Sequence, residues 1–255
     1  MKLPLAPLFL ALGVSAASAA TLTIGVTGDS YIRSGTTTLQ NTNNNGSQLL
    51  LVGDTTTSGD VMRGVLSFNL AAPELVGATI NSVTLNLFAD SAAGKDSSST
   101  VSSTETLQIF QLTRSFVDTQ VTWNNAATGT AWTTPGGDFS GTALSSVSAN
   151  ATTVTANQLF SFGSSEAFLN SIVGTLAQTD KTLGLYVKLQ TENTTRSLFR
   201  LNAGTTTNVN IAPAAFRPQL VIDYSVSTIP EPSAFAAFAG LGALGCVGVR
   251  RRARR

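Results

Sequence analysis

Residues 62–70 have the sequence Met-Arg-Gly-Val-Leu-Ser-Phe-Asn-Leu, in which apolar or small residues alternate with more polar ones. The small and apolar positions of this alternation are Gly64, Leu66, Phe68 and Leu70. Successive side chains of a strand point to opposite faces, so a period of two predicts a strand with one face in a core. The same period recurs in residues 83–88 and 183–189, which predicts antiparallel sheets.

Short β-rich runs occur along most of the chain and are separated by clusters of Gly, Asn, Ser, Thr and Asp. The predicted strands are residues 21–26, 30–33, 49–52, 62–70, 79–88, 106–112, 121–123, 146–155, 183–189, 197–201 and 219–226. One segment departs from the pattern, because Phe168, Ile172 and Leu176 recur with a helical spacing behind the N-cap residue Ser165. We therefore expect an all-β antiparallel sandwich with one short helix at about residues 165–177.

The composition excludes several classes of function. The chain has 255 residues and no His, which rules out a Ser-His-Asp hydrolase and a His-ligated zinc ion. A single Cys cannot form an internal disulfide. Lys and Arg total 15 against 14 Asp and Glu, so no nucleic-acid partner is expected.

The N-terminus has the pattern of a cleaved signal peptide. Lys2 precedes the apolar run 3–14, and the Ala-Ser-Ala sequence of 17–19 is typical of a cleavage site. The alternative is an N-terminal membrane anchor. The short apolar run favours export through the Sec route, with a mature chain that starts near Ala20.

The C-terminus has three parts in a fixed order. Pro230, Glu231 and Pro232 precede the uncharged stretch 233–249, and five arginines lie within 250–255. A helix of 17 residues spans roughly 25 Å, slightly less than the ~30 Å hydrocarbon core. We expect a C-terminal transmembrane helix that anchors the chain in the inner membrane, with the arginines on the cytoplasmic side.

This order of Pro-Glu-Pro, apolar helix and arginines resembles the PEP-CTERM sorting signal of Gram-negative bacteria. The positions that carry the resemblance are Pro230, Glu231, Pro232, Arg250, Arg251 and Arg252. The resemblance implies an exosortase as partner, a transient anchor, and delivery to the cell surface or extracellular matrix after removal of the tail. A simple tail anchor with an accidental Pro-Glu-Pro is the alternative.

These ends divide the chain into a signal peptide (1–19), a β-sandwich domain (20–228) and a sorting segment (229–255). The middle region holds nine basic and thirteen acidic residues. The exported domain is therefore mildly acidic, and a polyanionic ligand would need a local basic patch.

Several segments of the middle region are similar to one known family. They are 64–70, 79–87, Val-Thr-Trp-Asn-Asn at 121–125, Thr-Pro-Gly-Gly-Asp-Phe at 134–139, and 216–224. Together they resemble the DNRLRE family, secreted jelly-roll-like β-sandwiches of which some are described as carbohydrate-binding modules. The resemblance implies a jelly-roll-like sandwich and extracellular polysaccharide as the partner.

Sugar sites combine apolar walls with a few polar groups. The candidate ligand-binding residues are aromatic or basic and stand in a loop or at outward strand positions: Tyr31, Arg33, Arg63, Trp132, Lys188 and Arg200. The alternative is an ordinary solvated sheet face whose charges prevent edge pairing. Trp123, in contrast, is expected to fill the core.

Catalysis is not expected, because the acidic residues fall in predicted turns and no pair stands out for glycosidic hydrolysis. No cofactor is certain, but a structural calcium ion between Asp29 and Asp223 is conceivable, since the first and last strands of a jelly roll often lie close together. Solvated turn residues are the alternative there.

The sequence therefore predicts an exosortase-sorted surface or matrix protein that binds extracellular polysaccharide without catalysis. The alternatives are a purely structural surface or biofilm protein, with O-glycans on its Ser and Thr residues as one option, and a polysaccharide lyase or hydrolase.

Overall fold

The alternating segments form strands in the computed structural model, which describes residues 17–55, 59–90, 104–193, 196–205 and 212–227. These ranges contain thirteen strands: β1 (Ala17–Gly25), β2 (Gly28–Arg33), β3 (Leu49–Asp54), β4 (Val61–Asn69), β5 (Thr79–Phe88), β6 (Thr104–Gln111), β7 (Asn125–Ala127), β8 (Thr130–Ala131), β9 (Ser145–Asn150), β10 (Leu159–Phe162), β11 (Thr182–Leu189), β12 (Leu198–Asn202) and β13 (Gln219–Ser227).

The strands form two main sheets and one small hairpin. The four-stranded sheet has the order β1-β13-β5-β10, and the hairpin pairs β7 with β8. The seven-stranded sheet has the order β12-β3-β4-β11-β6-β9, with β2 paired to β4. Strand β4 pairs with β2 and β11 in antiparallel orientation, and β6 pairs with β11 and β9 in the same way. The prediction of an all-β, antiparallel, sandwich-like fold is confirmed.

The main core is built from the inward positions of both sheets. Leu66 and Leu185 are opposite each other on β4 and β11, and both are fully buried. Leu85 and Phe162 form the equivalent pair on β5 and β10. Phe160 of β10 meets Phe199 of β12 edge-on, with ring centroids 5.9 Å apart, so side chains of the two sheets pack together.

The expected helix is present as α2 (Glu166–Leu176), and a four-residue helix, α1 (Thr37–Gln40), was not predicted. Ser165 caps α2 as expected, because its Oγ accepts a hydrogen bond from the N–H of Phe168 at 3.0 Å. Phe168 and Ile172 of α2 are fully buried, and the helix contacts β5 and β11.

The outer face of the seven-stranded sheet carries a second hydrophobic cluster, which we call the outer cluster. Val65, Tyr186 and Phe110 are aligned across β4, β11 and β6, and side chains opposite each other in antiparallel strands share a face. They pack with Val121, Ala126 and Trp132. These last residues belong to residues 113–144, here called the covering segment, which lies over this face. The sequence predicted a solvated face here, because alternation within a strand does not reveal what covers it.

Two strand predictions differ from the structure. Residues 121–123 are not a strand, because the N–H of Val121 bonds to the carbonyl of Val117 at 2.8 Å and that of Thr122 to the carbonyl of Asn125 at 2.9 Å. The strand predicted at 146–155 ends at Asn150, whose side chain accepts from the N–H of Thr152 at 2.9 Å. A separate strand, β10, follows and was missed.

The predicted ends lie almost entirely outside the described residues. Ala20–Tyr224 forms one compact unit, and the described remainder, 17–19 and 225–227, consists of the outer ends of β1 and β13. The rest of the predicted signal peptide, and the predicted sorting segment with its transmembrane helix, lie outside the described residues. In the part of the chain that the structure describes, no helix is long and apolar enough to cross a membrane.

Candidate functional site

A cavity of about 920 Å³ opens beside the outer cluster and is lined by residues of the covering segment and by Arg63 of β4. Four hydroxyl side chains line it: Thr113, Ser115, Thr133 and Thr134. Its charged lining residues are Arg63, Arg114 and Asp138. Pro135 and Phe139 add apolar surface. The cavity is thus mostly polar with a small apolar wall.

The loop at residues 134–139, here called the cavity loop, requires its two glycines. Gly136 has φ +98°, and a Cβ there would lie 2.6 Å from Nη1 of Arg63 and 2.7 Å from Cζ2 of Trp123. Gly137 has φ +108°, and its Cβ would lie 2.7 Å from Cε2 of Tyr186. Only glycine combines this backbone conformation with such close packing. The Gly-Gly pair therefore lets the loop lie directly on the sheet.

Asp138 holds the cavity loop in shape. Its carboxylate accepts hydrogen bonds from the N–H groups of Thr133 at 3.0 Å and Thr134 at 3.2 Å, and from Nε of Arg114 at 2.9 Å. Burial alone raises the pKa of Asp138, but these donors outweigh it and the pKa is lowered. The carboxylate is therefore ionised at neutral pH and is committed to the loop.

Arg63 anchors the cavity loop to the sheet. Its Nε and Nη2 donate to Glu192 at 2.9 and 2.7 Å, and its Nη1 donates to the carbonyl of Gly136 at 2.9 Å. The guanidinium also lies 4.7 Å from the ring centroid of Trp123. All three of its nitrogens have partners, and the side chain is 16% exposed. Arg63 is thus a positioning residue of the cavity.

Tyr186 forms the floor beneath the cavity loop. Its ring stacks on Phe139 with centroids 4.4 Å apart and an interplanar angle of 14°. Its hydroxyl accepts from Nη1 of Arg63 at 2.8 Å and donates to the carbonyl of Gly136. Burial raises the pKa of Tyr186 far more than the charge of Arg63 lowers it, so the hydroxyl stays protonated.

Arg114 is the cation that faces the cavity most openly. Its side chain is 41% exposed, and its Nε bonds to Asp138 while Nη2 lies 3.5 Å from Oγ1 of Thr133. Its Nη1 makes no hydrogen bond to any residue in the described ranges. Sequence reasoning missed Arg114, because it lies in a loop after β6 where no strand alternation marks it.

The predicted ligand residues are not brought together in one patch. Arg63 and Lys188 are close, since both lie near Glu192, with Nζ of Lys188 3.7 Å from its carboxylate. Both side chains are largely buried, at 16% and 14% exposure, so the prediction that they point freely outward is wrong. The covering segment lies over the face they share.

Tyr31, Arg33 and Arg200 lie elsewhere. Tyr31 is opposite Gly64 and Arg33 is opposite Met62 in the β2–β4 pair, so they share the face opposite to that of Arg63. Arg33 makes a bidentate pair with Asp60, at 2.7 and 2.5 Å. Arg200 pairs with Asp90 at 2.8 Å. The predicted basic face is therefore divided into three compensated ion pairs.

The two tryptophans exchange their expected positions. Trp132 was expected to stand exposed in a loop, but it is 4% exposed, and its Nε1 donates to the carbonyl of Thr122 at 2.9 Å. It cannot offer a ring face to a sugar from there. Trp123 was expected in the core, yet it is only partly buried against the outer cluster, where it stacks with Arg63.

Asp29 and Asp223 are not brought together as a calcium site. Asp29 lies on β2 of the seven-stranded sheet, where its carboxylate accepts from the N–H groups of Thr205 at 2.6 Å and Gly204 at 3.2 Å. Asp223 lies on β13 of the four-stranded sheet and accepts from Thr21 and Ser82, both at 2.6 Å. Within the described residues, no three acidic or Cys side chains form a metal cluster.

The predicted sorting residues lie outside the described residues: Pro230, Glu231, Pro232, Arg250, Arg251 and Arg252. A scan against protein-family models gives no match, and a search of the curated proteins also gives none. The function is therefore inferred from the residues of the chain and their arrangement.

Proposed function

We propose that this protein is exported, sorted by an exosortase to the cell surface or extracellular matrix, and binds extracellular polysaccharide without catalysis. The order of the sequence signals at both ends supports export and sorting to the cell surface. The cavity that the cavity loop lines supports the binding. The observation that carries the proposal is the set of hydroxyls around Arg114 at the mouth of that cavity.

The chemistry of the cavity fits a sugar. Thr113, Ser115, Thr133 and Thr134 offer hydroxyls that both donate and accept, as sugar hydroxyls do. Arg114 offers a charged donor, which makes stronger hydrogen bonds than a neutral one. Pocket volumes of about 300–1,000 Å³ are typical of sites for small ligands, and this cavity is at the upper end of that range.

The carboxylates of the cavity favour binding over hydrolysis. Glycosidases use two carboxyl groups about 5 to 9.5 Å apart, one of them with a raised pKa. Asp138 is the one carboxylate among the described residues that line the cavity, and its pKa is lowered. A site of this kind can hold a chain but offers no acid and base pair to cut it.

The finer architecture also belongs to this proposal. Two of the segments that carry the DNRLRE resemblance, Val-Thr-Trp-Asn-Asn and Thr-Pro-Gly-Gly-Asp-Phe, lie in the covering segment and contribute to the cavity or its support. We infer a jelly-roll-like sandwich of this kind, followed by a transmembrane helix in 229–255 that is removed by processing. Asp29 and Asp223 lie on different sheets, so their positions do not support a calcium ion bound between them.

A purely structural role is the second candidate. It is favoured by the observation that Arg33, Arg63 and Arg200 are each paired with a carboxylate. Because of this pairing, the predicted basic face has little uncompensated positive charge with which to bind a ligand. A structural protein would show no dependence of polysaccharide retention on Arg114.

The binding proposal is tested by retention of the full chain, purified in mild detergent, on immobilised alginate, pectin and xylan. Arg114→Ala should weaken binding to the retained polysaccharide about tenfold or more, since a hydrogen bond to a charged group contributes roughly 1.5–3 kcal/mol. Arg217→Ala removes the same charge from a residue that does not line the cavity, and it should bind normally. Equal retention of all three proteins, or no retention at all, would contradict the proposal.

The sorting proposal is tested by intact-mass measurement of the protein recovered from the surface or the medium of a Gram-negative host that carries an exosortase. The expected mass lacks both the signal peptide and the residues after the Pro-Glu-Pro region. Recovery of the chain from the cytosol with both termini intact would overturn it.

A further inference from the structure

A second cavity of about 290 Å³ lies next to the first. The two cavities share three lining residues, Thr113, Arg114 and Ser115, which follow β6 and are exposed. From these shared residues the second cavity extends to Ser67 of β4 and Gly184 of β11, and on to the loop after α2. The two are therefore neighbouring compartments with Arg114 at their boundary.

The two compartments carry similar chemistry. The first has the ring of Phe139 and the carboxylate of Asp138, and the second has the ring of Phe116 and the carboxylate of Asp180. Gln178 and Thr182 add polar groups to the second compartment. Each compartment thus combines an apolar ring with several polar groups, which suits two successive units of a repeating ligand.

Both compartments are open to solvent. Thr133, Thr134 and Pro135 of the first are exposed, and so are Gln178 and Asp180 of the second. A ligand that fills both can therefore continue past either rim. A short, closed site would instead select the end of a chain.

The floor of the second compartment includes a glycine, Gly184. Gly184 lies opposite Ser67 in the β4–β11 pair. A Cβ at Gly184 would lie 3.0 Å from Cβ of Leu112. The glycine therefore makes room for Leu112, which also lines this compartment.

We propose that the two cavities are consecutive subsites of one groove, which binds an internal stretch of a linear polysaccharide, with Arg114 contacting the chain at the boundary between them. This inference rests on the proposed binding function and adds to it a second subsite and a requirement for chain length. The second subsite contributes only when the ligand is long enough to cross Arg114.

The test measures affinity as a function of ligand length. Oligosaccharides from disaccharide to octasaccharide, prepared from whichever of alginate, pectin or xylan the full chain retains, are titrated calorimetrically into the full chain in detergent. Affinity should rise with length and then reach a plateau. The double variant Gln178→Ala/Asp180→Asn should lose about tenfold in affinity for long oligomers and nothing for the disaccharide. Arg114→Ala should lower the affinity for the long oligomers and for the disaccharide.

Ser161→Ala serves as the matched control, because Ser161 is an exposed residue of β10 in the other sheet, and it should match the parent protein at every length. If affinity does not depend on length and the double variant binds like the parent, the groove is wrong, although the loss in Arg114→Ala would still support a single-cavity site. If neither the polymers nor the oligomers bind, both the groove and the proposed function are wrong.

Discussion

Gly136 illustrates how one residue determines the shape of the candidate site. Its positive φ and its contacts with Arg63 and Trp123 exclude any side chain. A sequence that reads Thr-Pro-Gly-Gly-Asp-Phe predicts a turn, but it does not reveal that the turn rests on an arginine and two aromatic rings. Two of those partners are distant along the chain, since Tyr186 is 50 residues and Arg63 is 73 residues from Gly136, and single-sequence patterns carry no such information.

Gly136→Ala should destabilise the protein by about 1–3 kcal/mol, because it adds both backbone strain and a steric clash. It should also weaken polysaccharide binding, since the cavity loop must lift from the sheet. Urea unfolding and retention on polysaccharide are the measurements. Gly141→Ala is the control, because a Cβ there meets no atom within 4 Å. Equal stability of the two variants would contradict the fit of the loop.

Asp29 gives a pH dependence with a definite sign. Burial is the main cause that raises its pKa above the ordinary 3.8, the charge of Asp118 raises it further, and the hydrogen bonds from Thr205 and Gly204 oppose both. The folded state therefore holds this proton more tightly than the unfolded state does. The contribution of Asp29 to stability is largest below the unfolded pKa and falls as the pH rises through the folded pKa.

The measurement is the difference in unfolding free energy between the parent and Asp29→Asn from about pH 3 to about pH 7. The parent should lose stability relative to the variant as the pH rises. Asp223→Asn is the control: hydrogen bonds from Ser82 and Thr21 lower the pKa of Asp223, so its difference should stay constant above about pH 4. A constant difference for Asp29→Asn would show that the carboxyl is not buried as described.

At the scale of single elements, the helix α2 is the clearest case in which local signals sufficed. Its N-cap, its length and its buried residues Phe168 and Ile172 follow from spacing alone. The strands β4, β5 and β11 were predicted within one residue at each end for the same reason. Short strands such as β7 and β8 could not be predicted, because they pair with each other over only two or three residues, too few to show a period.

Ser165→Ala should destabilise the protein by about 1 kcal/mol or more through the loss of the N-cap bond. Loss of an N-cap costs about 0.5–2 kcal/mol in general. We expect a cost near the upper end of that range here, since Oγ of Ser165 also donates to the carbonyl of Leu144 at 2.5 Å. Val173→Ala, at a 54% exposed position of the same helix, should cost well under that amount. Thermal unfolding of both variants measures the difference, and an unchanged Ser165→Ala would show that the cap is not formed.

For the whole molecule, the outer cluster is what sequence reasoning could not find. The sandwich itself follows from alternation, but the covering segment turns an outward strand face into a second small core. For this reason Arg63 and Lys188, correctly assigned to one face, are buried rather than solvated. The position of the covering segment also explains why the candidate cavity lies at the edge of a covered face, with Arg114 at its mouth.

The location of binding is tested most directly by hydrogen–deuterium exchange of the full chain with and without the retained polysaccharide at saturation. We expect slower exchange in residues 113–115 and 133–139, and a smaller change in Arg114→Ala at the polysaccharide concentration that half-saturates the parent. Slower exchange on β5 and β10 of the other sheet, or none anywhere, would contradict a ligand bound in the cavity that the cavity loop lines.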